Sequence, residues 1–100
     1  MISQDVVINN PRGIHVRPAG LIAQKFQYYP GKIELIRRNG ATCSAKTTLG
    51  ILTLGLGPGE IVRVSVEGPD EERTCRQICT YLGGIYDYSH EEVRLAESRP

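Results

Sequence analysis

The stretch QDVVINNPRGIHVRPAGLIAQKF, residues 4–26, changes its hydrophobic period halfway along. Val6, Val7 and Ile8 form a short β-branched run that Asn9, Asn10 and Pro11 close with turn residues, so a strand is expected over about residues 4–8. From Val16 onward, Ala19, Ile22, Ala23 and Phe26 recur at i, i+3, i+4 and i+7, the stripe of a helix lying on a core, and Tyr28-Tyr29-Pro30-Gly31 ends it. His15 therefore stands where that helix begins. A histidine there is either a polar surface or capping residue, or a group whose chemistry uses the helix end.

Working outward, KIELIRRNGATCSA (32–45) places Ile33 and Leu35 in near alternation ahead of Asn39-Gly40, the signature of a tight hairpin, so two paired strands are expected. KTTLGILTLGLGPGE (46–60) reads as a short helix starting at Thr47, although Gly50 counts against it because glycine costs about 1 kcal/mol in a helix interior. Ile61 or Val62, Val64 and Val66 alternate in a fourth strand. A last helix is expected over about residues 69–82, with Pro69 near its first position and Asp70, Glu71 and Glu72 in its first turn. Its stripe is Cys75, Ile78, Cys79 and Leu82, and Gly83-Gly84 stops it. The order is βαββαβα. Each strand has one apolar face and each long helix one apolar stripe, which predicts an α+β fold with helices covering one face of a four-stranded antiparallel sheet.

The chain has 100 residues, enough for one core. Twelve basic residues against 11 acidic ones leave no global positive field, which argues against nucleic acid or an anionic membrane as partner. No apolar run approaches the roughly 20 residues of a membrane span, and the N-terminus lacks a secretory pattern. A soluble, cytoplasmic protein is expected, with no direct membrane insertion. The three cysteines, Cys43, Cys75 and Cys79, do not form a disulfide framework. Cys75 and Cys79 share a helical face, as a metal pair or as buried small apolar residues. No further ligand pattern supports a metal, and none is expected, nor any other cofactor.

The neighbours of His15 give it a chemistry. Backbone N–H groups and the dipole at a helix N-terminus attract phosphate and disfavour added positive charge, and a neutral imidazole nitrogen is a nucleophile. Arg17 offers a guanidinium fork for phosphoryl oxygens, and Arg12 sits on the approaching loop. Pro18 needs no backbone N–H in the first turn, and Gly13 allows the turn that brings the loop to the helix end. Val16, Pro18 and Arg12 are the candidate supports for phosphate. Together these residues describe a histidine that accepts a phosphoryl group and gives it up again.

GIHVRPAG (13–20) resembles the active-site signature of the HPr family, the histidine-containing phosphocarriers of the bacterial phosphoenolpyruvate-dependent sugar phosphotransferase system. AKTTLGILTLG (45–55) resembles the family's second motif. The resemblance covers about residues 1–85 and implies an open-faced β-sandwich, with residues 86–100 as a C-terminal extension of no assigned task. It further implies that enzyme I phosphorylates His15 at Nδ1, that Arg17 assists, and that His15 passes the group to a IIA component. Such a protein is a phosphoryl carrier rather than a turnover enzyme, and a monomer is expected. Thr47 aligns with the family serine that an HPr kinase phosphorylates in many bacteria; it is either the helix cap alone or cap and regulatory site together. Leu49 and Leu52 are expected to be exposed and, with Val16, Gly20 and Thr48, to form the docking surface, unless the leucines are simply core. Arg12 and Thr48 depart from the residues usual in the family. A second reading, a regulatory binding module acting through Thr47, stays open. In the extension, Ser89 and Glu92 suggest a capping box and His90 an exposed residue.

Overall fold

The computed structural model describes residues 1–87. Its elements are β1 (Ile2–Val7), α1 (Val16–Phe26), β2 (Lys32–Arg37), β3 (Thr42–Ser44), α2 (Thr48–Leu54), β4 (Ile61–Glu67) and α3 (Glu71–Leu82). The expectations for Ser89, His90 and Glu92 lie outside the described residues.

The last strand in sequence, β4, enters the middle of the sheet, whose order is β1-β4-β2-β3. It runs antiparallel to both β1 and β2, so those two, joined through α1, are parallel to each other with β4 filling the slot between them. The same logic holds on the other side, where β2 separates β3 from β4. Each helical connection thus spans a neighbouring strand, and the helices cover one face. This is the α+β arrangement that the hydrophobic pattern predicts, and the open-faced sandwich that the family resemblance implies.

The period-2 alternation explains the two faces. Ile33 and Leu35 of β2 and Val62, Val64 and Val66 of β4 point into the core, where none is more than 1% exposed. On the opposite, open face Arg63 donates to Asp5 across β4 and β1 at 3.0 Å. Helix α1 contributes Ala19, Ile22, Ala23 and Phe26, and α3 contributes Cys75, Ile78, Cys79 and Leu82. Phe26 meets the edge of Tyr81 at 5.8 Å between ring centroids, joining the two helices. Cys75 and Cys79 are small core residues, and burial pushes the Cys79 thiol up to about 12.

Two boundaries differ from the sequence reading. β1 starts at Ile2 and ends at Val7, because every residue from Ile2 on finds a partner in β4; Ile8, just past the strand, still donates its N–H to Glu60. α3 starts at Glu71 rather than at Pro69, since Asp70 takes a left-handed conformation at φ 51° and turns the chain into the helix. Within α2, Gly50 stands where a side chain would not fit. A Cβ there would lie 2.6 Å from Thr47 Oγ1, the oxygen that accepts the Gly50 N–H and caps α2.

Leu35, fully buried at the centre of the sheet between Val64 and Cys43, sets the scale of core packing. Leu35→Ala is expected to cost about 2–5 kcal/mol in urea unfolding; an unchanged midpoint would contradict the packing described.

Candidate active site

His15 is the N-cap of α1, with extended backbone (φ −98°, ψ −166°), and its ring makes no capping bond to the helix. Its carbonyl accepts the Ala19 N–H at 3.0 Å, and Pro18 brings no N–H. The amides of Val16 and Arg17 therefore remain uncapped at the helix end, a place that favours negative charge. No acidic residue occupies the first turn.

The loop before His15 is held from below. Gly13 has φ 68° and lies so close to the α2–β4 connection that a Cβ would overlap the Leu56 carbonyl oxygen and approach Gly57 Cα to 2.9 Å. That same Leu56 carbonyl accepts the Ile14 N–H at 2.9 Å. The connection is in turn fixed by Glu60, which accepts from the Gly57 N–H and from Arg37 at 2.7 Å and 3.0 Å, while Arg37 also donates to the Leu54 carbonyl at the end of α2. Those hydrogen bonds, the Gly57 amide first, hold the Glu60 carboxyl below its ordinary pKa.

Above the loop, the chain leaving α3 returns to the histidine. Asn10 is wholly buried and satisfies all four positions of its amide. Its Oδ1 accepts the backbone N–H groups of Tyr86 (2.7 Å) and Asp87 (2.9 Å). Its Nδ2 donates to the Gly13 carbonyl at 2.8 Å and to Asp87 Oδ2 at 2.6 Å. The other oxygen of that carboxylate, Oδ1, lies 2.9 Å from His15 Nε2. Asn9 adds a bond to the Gly83 carbonyl, and the Tyr86 hydroxyl donates to the Tyr81 carbonyl. Burial alone pushes the Asp87 carboxyl up, but the hydrogen bonds from His15 and Asn10, with the charges of His15 and Arg12, outweigh it and hold the pKa below its usual value.

This pairing assigns the two ring nitrogens. A carboxylate at 2.9 Å calls for a proton on Nε2, which leaves the Nδ1 lone pair free in the neutral ring. Nδ1 makes no hydrogen bond within the described residues, and the His15 side chain is half-buried rather than sealed. The site is an accessible nucleophile with its far side held.

The other residues singled out in the sequence fall at several places. Arg17 is exposed on the first turn of α1 and makes no hydrogen bond within the described residues; Arg12 is exposed on the loop, close enough for its charge to act on Asp87. Val16 is 66% exposed, Pro18 is buried and Gly20 is half-buried. Leu49 is 72% exposed and Thr48 half-buried. Leu52, expected beside Leu49 at the surface, instead packs partly against the core, because a helix this short, lying on α1 and β3, buries more than the Ile51 and Leu54 stripe. Thr47 is exposed and caps α2. Asn10 and Asp87 were not legible as site residues: one reads as a turn former, the other as part of a polar tail, and 77 positions separate them.

Among the described residues no cluster of histidine, cysteine and carboxylate side chains could hold a metal ion, and no helix is long and apolar enough to cross a membrane.

Comparison with known proteins gives the family. Residues 2–83 match the model of the PTS HPr component phosphorylation site. The chain is 30% identical to the phosphocarrier protein HPr of Buchnera aphidicola (subspecies Baizongia pistaciae) over 82 residues, covering 82% of this chain and 95% of that protein. It is 37% identical to HPr of Treponema pallidum over 71 residues, 71% of this chain and 80% of the other. Its backbone superposes on the crystal structure of HPr from Bacillus anthracis with a TM-score of 0.75 at 27% identity, covering 81% of this chain and 95% of that one. The chain belongs to the HPr family of phosphotransferase-system phosphocarriers.

The depressed Asp87 pKa makes a pH prediction. A carboxyl whose folded pKa lies below its unfolded one stabilises the fold above the unfolded value, and that contribution disappears as pH falls through the folded value. The stability difference between the wild type and Asp87→Asn should therefore shrink below about pH 4, as the carboxyl is protonated. A difference that stays undiminished once the Asp87 carboxyl is protonated would contradict the pairing.

Proposed function

We propose that this protein accepts a phosphoryl group on Nδ1 of His15 from phosphorylated enzyme I and donates it to a histidine of a IIA component. The observation that carries the reading is the division of labour on the ring: Asp87 occupies Nε2 while Nδ1 is open. In the transfer, the Nδ1 lone pair forms the new bond to phosphorus as the bond to the donor atom breaks, and the leaving electron pair returns to the donor. The uncapped amides of Val16 and Arg17 and the guanidinium of Arg17 receive the phosphoryl oxygens, with Arg12 as a further positive charge. Exposure of the site suits delivery between two proteins, since neither partner has to enter a pocket.

Docking falls to the surface around the histidine: Val16, Gly20, Thr48 and Leu49, with the visible part of Leu52. Residues 1–85 make up the carrier domain, working as a cytoplasmic monomer without nucleic acid or cofactor. Thr47 offers a second point of control to an HPr kinase/phosphorylase, because its hydroxyl is exposed at the start of α2. A phosphoryl group there would replace the present cap with a dianion at a helix start. The alternative, a regulatory module that never carries phosphate on His15, is separated from the carrier by phosphoryl flow.

The test is incubation with phosphoenolpyruvate and an enzyme I proven active on its own carrier, followed by intact mass and acid lability. The wild type should gain one acid-labile phosphoryl group, and His15→Ala should gain none while remaining folded. Arg17→Ala should slow acceptance by about tenfold, the loss of one charge-assisted contact. Full-rate phosphorylation of His15→Ala would overturn the assignment, and an unaltered Arg17→Ala rate would remove Arg17 from the mechanism.

A further inference from the structure

Family resemblance accounts for His15 and its helix, but the matched residues end at 83, and the carboxylate that meets the imidazole at Nε2 lies beyond them. Tyr86 and Asp87 have their backbone amides fixed on the buried Asn10 Oδ1, and the Asp87 carboxylate bridges Asn10 Nδ2 and His15 Nε2. The carboxylate is therefore located by three bonds to one buried side chain before it meets the histidine. Its side chain is 18% exposed and that of His15 30%, so the pair is partly withdrawn from water, where a charge-assisted hydrogen bond is stronger.

We infer that Asp87 is a positioning residue for phosphoryl transfer, holding His15 as the Nε2–H tautomer and balancing the positive charge that develops on the ring as Nδ1 bonds to phosphorus. This rests on His15 being the phosphoryl acceptor. During attack the Nε2 proton stays where it is; the ring gives its Nδ1 pair to phosphorus and becomes cationic, the donor atom takes the pair of the broken bond, and the anionic carboxylate lies 2.9 Å from the proton. The same pairing acts in reverse: protonated phosphoimidazole releases its phosphoryl group as a neutral imidazole, so a carboxylate that retains the Nε2 proton serves delivery as well as acceptance. The Asp87 charge stands on the Nε2 side of the ring, away from the atom that meets the phosphoryl group, and Arg12 offsets it.

The experiment uses the full chain, labelled with ¹⁵N-histidine, as wild type, Asp87→Ala and Asp87→Asn. Ring nitrogen shifts in alkaline buffer, where imidazole is neutral, report the tautomer without any phosphoryl donor. The wild type should show a single Nε2–H tautomer and Asp87→Ala a mixture; Asp87→Asn, with one amide oxygen for the two donors Asn10 Nδ2 and His15 Nε2–H, should hold the Nε2–H tautomer less completely than the wild type. Acceptance from phosphoenolpyruvate and enzyme I should fall about tenfold in Asp87→Ala and less in Asp87→Asn. A ring that stays wholly Nε2–H in Asp87→Ala, or an Asp87→Ala rate equal to or above that of the wild type, would overturn the inference. If the wild type takes no phosphoryl group, the carrier reading fails by itself, while the tautomer result still decides what Asp87 does to the ring.

Discussion

The molecule depends on β4 pairing along both edges. A strand arriving last in sequence must find its slot between β1 and β2 already spaced for it, and the crossover through α1 is what leaves that slot open. Once β4 is in place, β1 is held along its whole length, its end is fixed against the start of β4, and the loop from Asn9 to Ile14 has one way to reach α1. The position of His15 follows from this. Gly13 presses onto the α2–β4 connection, and Arg37 and Glu60 tie that connection back to β2. The active-site loop thus stands on the central strand.

A second constraint completes the site. A buried amide must satisfy both its donors and both its acceptor positions or lose stability, and Asn10 does so only by gathering Gly13, Tyr86 and Asp87 around itself. The cost of leaving that side chain unpaired turns a chain segment after α3 into part of the active site. What results is an imidazole with one nitrogen engaged and one open, on a helix end short of negative charge. The chemistry comes from three elements of very different kinds: a helix terminus, a conformationally constrained loop and a returning tail.

Much of this was readable in the residues. The change from period 2 to period 3.6 around His15, the Asn39-Gly40 turn and the two helical stripes define the elements, because apolar burial is periodic and local in sequence. Boundaries were harder: β1 extends to Ile2 through pairing with β4, and α3 waits for the left-handed turn at Asp70. Gly50 argued against α2 until the Thr47 cap showed why no side chain fits there. Leu52 was misjudged because three-residue spacing gives a face but not how deeply a neighbouring helix covers it. Asn10 and Asp87 carry no local signal at all; their relation exists only after β1 and α3 have packed together, as they do in the fold.

The central claim is that His15 takes the phosphoryl group on the nitrogen that Asp87 leaves open. The direct measurement is the ring ¹⁵N spectrum of the enzyme I-phosphorylated protein, with phosphorus coupling used to identify the bonded nitrogen. The account predicts phosphorus on Nδ1 and a proton on Nε2. Phosphorus on Nε2, which would require the Asp87 carboxylate to be displaced, or on any other residue, would contradict it.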